Sequence, residues 1–326
     1  MLTARENFMN FYKNKPMDRF PDLFTDANFL MSITGMGDRP PNNRGGKDWY
    51  GCSWVYEADG MDSCVPDLSI PPLFEEIEEW HEKMIFPDPD AVDWEACAKA
   101  DGVEDFDPDK INYLTLMEGP FERLHTIMGF ENAMVAMATN PDEVNALLER
   151  LTDIKMQNIR VLADYYKVDV INYHDDWGTQ NNLFFAPEMW RELIRPHIKR
   201  AVDYTHELGL VFELHCCGKI EKLIPEIADL GVDCLQCMGI NDIVAAKAIT
   251  GDRLAYMVSL RYQEFETREK TGTLTESMVR ESVRNEILAE APGGRYMPFM
   301  LPVMSEWLPI ANDEICRVSD ELFIKN

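Results

Sequence analysis

Residues 210–217 read LVFELHCC. Successive side chains of a β-strand point to opposite faces, so Phe212, Leu214 and Cys216 share one face and Glu213, His215 and Cys217 the other. The apolar set suits contact with outer helices. The polar set then points into the middle of a barrel, with His215 and Cys217 at the C-terminal strand end, where barrel enzymes carry their chemistry.

Short apolar segments of the same kind recur on both sides of this strand. INYLTLM (111–117), VDVINYHDD (168–176), VDCLQCM (232–238), LAYMVSL (254–260) and RYMPFML (295–301) all read as strands. Helical patterns separate them. The clearest is 187–209, opened by Pro187, closed by Gly209 and expected to kink at Pro196. Others run near 219–230, 241–249, 275–290 and 308–322. A βα repeat of this kind predicts parallel strands joined by right-handed crossovers.

Before residue 110 the pattern changes. RFPDLFTD (19–26) is the expected first barrel strand, KDWYGCSWVYEADG (47–60) alternates like a hairpin strand ending in a turn, and 61–108 is rich in Pro, Asp and Glu. No linker or low-complexity tract marks a second domain. The expectation is one α/β domain over 1–326, a (β/α)8 TIM-type barrel. Residues 1–110 are expected to supply an N-terminal strand, a hairpin and, over 61–108, a loop-and-helix excursion over the mouth, with 111–326 carrying the regular repeats.

Composition narrows the partners. With 31 basic and 58 acidic residues, the formal charge of −27 repels nucleic acid and anionic membranes alike. There is no apolar run of about 18 residues and no leader-like N-terminus, so a soluble, cytoplasmic protein is expected. The eight cysteines then read as thiols, available as metal ligands.

A His and a Cys two apart on one strand face can both reach Zn²⁺, which takes imidazole nitrogen and thiolate sulfur. Cys216 reads as core. In VDCLQC the two cysteines lie three apart and face opposite ways, which argues against a joint chelate. The apolar phase there turns Val232 and Cys234 outward and Cys237 inward, making Cys237 either a third ligand or an ordinary core residue. At the end of VDVINYHDDWGTQ, His174 and Asp176 share a face as candidate catalytic groups. Asp175, Trp177 and Gln180 follow as candidate substrate contacts, with a capping role the alternative for Asp175. Glu118 is a further candidate ligand, or a loop residue.

The strand end HDDWGTQ (174–180), the helix APEMWRELIRPHIKRAVDYTHELGL (186–210), LHCCGKIEKLIPEIADLGVDCLQ (214–236), INDI (240–243) and the opening TARENFMNFYKNKPMDRFP (3–21) together resemble the uroporphyrinogen decarboxylase superfamily, and within it the corrinoid-linked methyltransferase branch. The likeness is strongest over 168–242. It implies a barrel whose mouth holds zinc through an H-x-C pair, matched by His215 and Cys217, and a later Cys. The last strand, in GGRYMPFMLPVM (293–304), has no Cys, so Cys237, Glu118, Glu213 or a carboxylate of the HDDW loop would have to substitute.

The N-terminal Arg motif of the decarboxylases is absent, and ITGMGDRPPNNRGGKDWYGCSW (33–54) stands in its place. An octacarboxylate substrate would need a basic cavity, so tetrapyrrole decarboxylation is the less favoured reading. The resemblance instead implies methyl transfer between a small donor, such as an aromatic methyl ether, methanol or methylamine, and a corrinoid, free or on a small corrinoid protein. Zinc would activate a thiol or the methyl donor, with Asp176 or His174 as proton donor. Tyr50, Trp54, Tyr56, Met297, Met300 and Met304 are candidate walls for an aromatic methyl ether, or core residues one by one. A barrel that binds corrinoid or metal without turnover is the alternative from another class. A homodimer is compatible with all of these.

Overall fold

The computed structural model describes residues 1–40, 44–57, 63–300 and 305–323. Seven strands form one parallel sheet in the order β1 (Ala27–Leu30), β5 (Ile111–Leu116), β6 (Val170–His174), β7 (Val211–Cys216), β8 (Cys234–Met238), β9 (Ala255–Ser259) and β10 (Tyr296–Phe299). Apart from β1 and β5, which the long excursion separates, neighbours in the sheet are consecutive among its strands. That is the pattern of a (β/α)8 TIM-type barrel, with the helices outside. Three short strands, β2 (Gly45–Lys47), β3 (Ser53–Glu57) and β4 (Ser63–Pro66), make a separate antiparallel sheet. Residues 58–60, where the sequence predicts a turn, lie outside the described residues, as does Met304.

The two faces of the sheet sort as a period of two requires. Ala27, Ile111, Tyr113, Val170, Cys234, Ala255, Met257, Met297 and Phe299 pack together inside, closed from below by Phe8, Phe11 and Tyr12 of the helix Ala4–Tyr12. That helix begins with a capping box, in which Thr3 and Glu6 each accept the other's backbone N–H. The outward residues, such as Ile171, Tyr173, Phe212 and Leu214, pack against the surrounding helices.

The first barrel strand starts later than expected. RFPDLFTD is a loop: the Asp22 carboxylate accepts the N–H groups of Phe24 and Thr25, and Arg19 pairs with Asp26, so the chain turns before β1 begins at Ala27. Phe20 from this loop packs edge-on against Tyr296 and Phe323. It ties the loop to β10 and the C-terminal helix. The helical pattern at 187–209 is two helices, Pro187–Leu193 and Arg195–Glu207, broken at Ile194. Pro196 lacks an N–H and its ring crowds the preceding turn, so the break falls just upstream of it. No helix among the described residues is long and apolar enough to cross a membrane.

Candidate active site at the barrel mouth

In-register parallel pairing sets His174 of β6 beside His215 of β7, and His215 beside Gln236 of β8. The two imidazoles stack, with centroids 4.2 Å apart and planes 12° from parallel. Beyond β7 the chain turns at Gly218, whose φ of +85° and whose contact with Gly178 leave no room for a side chain: a Cβ would sit 2.2 Å from the Gly178 carbonyl carbon. The same turn directs the backbone of Cys217 at the HDDW loop. Asp176 Oδ1 accepts the Cys217 N–H at 2.6 Å and lies 3.6 Å from His215 Nε2. Cys217 Sγ is 3.2 Å from that same nitrogen.

Both separations from His215 Nε2 are those of ligands sharing an ion. Around a tetrahedral zinc with Zn–N near 2.0 Å and Zn–S near 2.3 Å, an N···S pair is separated by about 3.5 Å and an N···O pair by about 3.3 Å. His174, Asp176 and His215 also bring one ligand atom each within 4.8 Å of one another. The stacking decides between the two histidines. An ion lies in the plane of the imidazole that binds it, because the nitrogen lone pair does, and two nearly parallel rings one above the other cannot both contain the same ion in their planes. Asp176 and His215 are therefore the pair of that group that could share a metal as the side chains stand, with Cys217 Sγ beside His215 Nε2 and His174 alongside.

The electrostatics agree with neutral nitrogen donors. Burial first, and then His174, pushes His215 down to about 4, and burial lowers His174 as well. Burial raises Asp176, but His174, His215 and the Cys217 N–H outweigh it and hold the carboxylate below its usual range. The Cys217 thiol is pushed well up by burial and then by Asp176, so without a metal it stays protonated.

The other sequence candidates fall in different places. Cys237 does not join the cluster: Gln236 takes the inward position, and Cys237 packs outside with Tyr256 and Tyr296. The strand phase expected from the sequence is reversed, and Cys234 is inside. Glu213 lies deeper in the barrel, bound to Tyr12 and Tyr113. Glu118, with a left-handed φ of 58°, bonds Arg39 and Thr126, an ion pair that draws its carboxyl to about 2 against the effect of burial. Asp175 has the capping role: its carboxylate accepts the N–H groups of Phe121 and Glu122 at the start of the helix Pro120–Met128, and the Trp177 indole N–H. Gly119 permits this approach, since a Cβ there would lie 2.5 Å from Asp175 Cβ. Trp177 is fully buried against Trp190, and Gln180 is exposed on the loop.

The candidate aromatic pocket is not assembled. Trp54 is buried with its N–H on Asp48 and Arg39 over its ring, Tyr56 packs under Arg44, and Tyr50 under Arg123. Met297 belongs to the barrel interior, and Met300 is buried beside the 19–25 loop and the helix Leu308–Phe323.

Three site residues were not singled out from the sequence. Glu122 bonds His174 Nδ1 at 2.8 Å, Gln236 bonds His215 Nδ1 at 2.6 Å, and Arg39 reaches the mouth from the N-terminal elaboration. Burial, followed by Glu118 and Asp176, holds the Glu122 carboxyl well above the usual range. Glu118 and Glu122 lie four apart in EGPFERLH, the only local hint. The elaboration itself is fastened by buried charges: Arg123 pairs with Asp48 at 2.6 Å, and Lys155 with Asp38 at 2.7 Å.

Comparison with known proteins bears on the fold and the family. A solved methyltransferase from Methanosarcina mazei has the same fold, with a TM-score of 0.69 over 99% of this chain and 100% of that one, at 14% identity. The methylated-thiol–coenzyme M methyltransferase of Methanosarcina mazei is 29% identical over 123 residues, 38% of this chain. That match spans 32% of the relative's length. The family description for uroporphyrinogen decarboxylase (URO-D) matches residues 64–258, well over half of the sequence, and the chain belongs to that family.

Proposed function

We propose that this chain is a zinc-dependent methyltransferase, moving a methyl group between a small donor and a corrinoid cofactor that is free or carried on a small corrinoid protein. The observation that carries the reading is the approach of Cys217 Sγ and of Asp176 Oδ1 to His215 Nε2 at the mouth of a URO-D barrel. Three protein ligands of this kind leave the fourth position of a tetrahedral zinc for a substrate, as in catalytic rather than structural sites. The partial similarity to a methylated-thiol–coenzyme M methyltransferase points to the same reaction class. A methyl ether donor of the O-demethylase type is the one favoured from sequence, and the relative's name adds methylated thiols.

Zinc, when bound, would supply a Lewis acid and a means of keeping a sulfur ligand or substrate deprotonated near neutral pH. The chain's own groups do the rest. Asp176 orients the Cys217 backbone while offering a carboxylate oxygen, and His174, held through Nδ1 by Glu122, keeps a ring nitrogen beside the ligands as a proton donor or acceptor for the leaving or attacking atom. The local charges argue against a tetrapyrrole octacarboxylate. Those acting most on His174 include the carboxylates of Asp176 and Glu118 against the single guanidinium of Arg39.

The test is zinc content together with methyl transfer to cob(I)alamin. About one zinc per chain is expected, lost in His215→Ala and Cys217→Ala and kept in Cys216→Ala and Cys237→Ala. Full zinc content in Cys217→Ala, or conversion of uroporphyrinogen to coproporphyrinogen, would overturn the reading.

A further inference from the structure

The interior of the barrel contains a hydrogen-bonded chain that starts at its floor and ends on His215. Glu213, fully buried, accepts Tyr12 Oη–H at 2.9 Å and Asn172 Nδ2–H at 3.0 Å, and accepts the Tyr113 Oη–H in a short bond. Gln236 Nε2 donates to Tyr113 Oη at 3.1 Å and lies 3.0 Å from the Met257 sulfur. Gln236 Oε1 meets His215 Nδ1 at 2.6 Å and Asn172 Nδ2 at 3.4 Å.

With Glu213 ionised, each link fixes the next. A tyrosine hydroxyl has one proton, and that of Tyr113 goes to Glu213, which faces it as an acceptor. Tyr113 can then only accept from Gln236, so the amide must present its NH₂ to Tyr113 and its carbonyl to His215. The donor from Asn172 and the acceptor sulfur of Met257 require the same orientation. A carbonyl oxygen only accepts, so His215 must carry its proton on Nδ1 and keep the Nε2 lone pair for the mouth. The Cys217 thiol beside Nε2 fits, since an S–H can donate to that lone pair.

We propose that Glu213 sets the tautomer of His215 through Tyr113 and Gln236, three positioning residues that act on the imidazole without touching the ligand point. A carboxylate low in the barrel thus decides which nitrogen is offered by the next inward side chain of the same strand. Outer partners of this kind orient a metal-binding histidine and raise its basicity, and their loss typically lowers metal affinity by roughly 10- to 100-fold. The metal consequence rests on the zinc reading above. The tautomer does not.

The experiment therefore has two arms. Long-range ¹H–¹⁵N NMR of metal-free protein labelled at its six histidines, with the His215 signals assigned by His215→Gln, is expected to show the Nδ1–H form. In Tyr113→Phe, which removes one hydroxyl, that preference should weaken to a mixture. An Nε2–H form in the wild type, or an undiminished Nδ1–H form in both Tyr113→Phe and Gln236→Met, would overturn the proposal. In the second arm, competition between zinc and a chelator should show Gln236→Met binding zinc roughly 10- to 100-fold more weakly, with an unchanged circular dichroism spectrum. Equal affinity overturns the metal consequence. A wild type that binds no zinc while showing the Nδ1–H form would overturn the proposed function and leave the tautomer chain standing.

Discussion

Glu290 closes the helix Glu276–Glu290 with its side chain turned inward, one helical turn beyond Glu286. Glu290 Oε2 and Glu286 Oε1 are both buried without a hydrogen-bond partner. Lys247 is close enough to help but spends its ammonium on the backbone carbonyls of Glu290 and Pro292. Arg261, which is largely exposed, bonds the Gly239 carbonyl and lies 3.9 Å from Glu286, while the Tyr296 hydroxyl faces Glu290; these lower its carboxyl less than burial raises it. Burial, and then Glu286, pushes Glu290 up to about 8, and burial pushes Glu286 up to about 7. An unfolded glutamate ionises near 4.5. Between these limits the native state holds protons that the unfolded state has released, so stability falls as pH rises from about 4.5 to 8. At about 1.4 kcal/mol per pKa unit, the rise of Glu290 to about 8 corresponds to a ceiling of about 5 kcal/mol. Part of that belongs to mutual repulsion with Glu286, so about 2–4 kcal/mol is expected from Glu290 alone. For 326 residues at about 2.1 cal/mol/K each, unfolding entropy is about 0.7 kcal/mol/K, which converts this to roughly 3–6 °C. Glu290→Gln should therefore raise Tm by that amount at pH 8 and leave it unchanged at pH 4.5, measured by calorimetry across the window. Equal melting of variant and wild type at pH 8 would show that the carboxyl ionises there without penalty and would refute the reasoning.

Two further outcomes test other parts of the molecule. Asp48 accepts the N–H groups of Tyr50, Cys52 and the Trp54 indole and pairs with Arg123, which is 1% exposed; Asp48→Ala removes the nearest carboxylate of that guanidinium, leaving it the Asp38 carbonyl, and should cost about 3–5 kcal/mol in urea unfolding, with a loss below 1 kcal/mol contradicting the buried pairing. Asp176→Asn retains an oxygen for the Cys217 N–H but removes the charge, so it should keep the fold and bind zinc roughly tenfold or more weakly in chelator competition; unchanged zinc affinity with slowed methyl transfer would make Asp176 a proton donor instead of a ligand.

Much of the scaffold was legible because it follows from local rules. The six strands from 111 onward and the helices between them declare themselves by apolar period, Pro and Gly, and the side-chain alternation of β7 alone brings His215 and Cys217 to one face. Segment 19–26 misled because Phe20, Leu23 and Phe24 look strand-like, whereas the Asp22 turn and the Arg19–Asp26 pair form only when the loop folds back on itself.

The sequence by itself determined the barrel class, the pairing of His215 with Cys217 and the acidic balance that disfavours polyanionic partners, because each depends on residues near in sequence or on composition. Tertiary structure alone decided the phase of β8. In VDCLQCM both faces offer comparable apolarity, and only in-register pairing with β7 turns Gln236 toward His215 and Cys237 away from it. It also separated two adjacent aspartates. Asp175 is drawn to the N-terminus of a helix that begins 55 residues earlier, at Pro120, while Asp176 faces a thiol and an imidazole from the next strand. Such partners meet through strand register and helix docking, set by packing of the whole core, which no local pattern in the chain encodes.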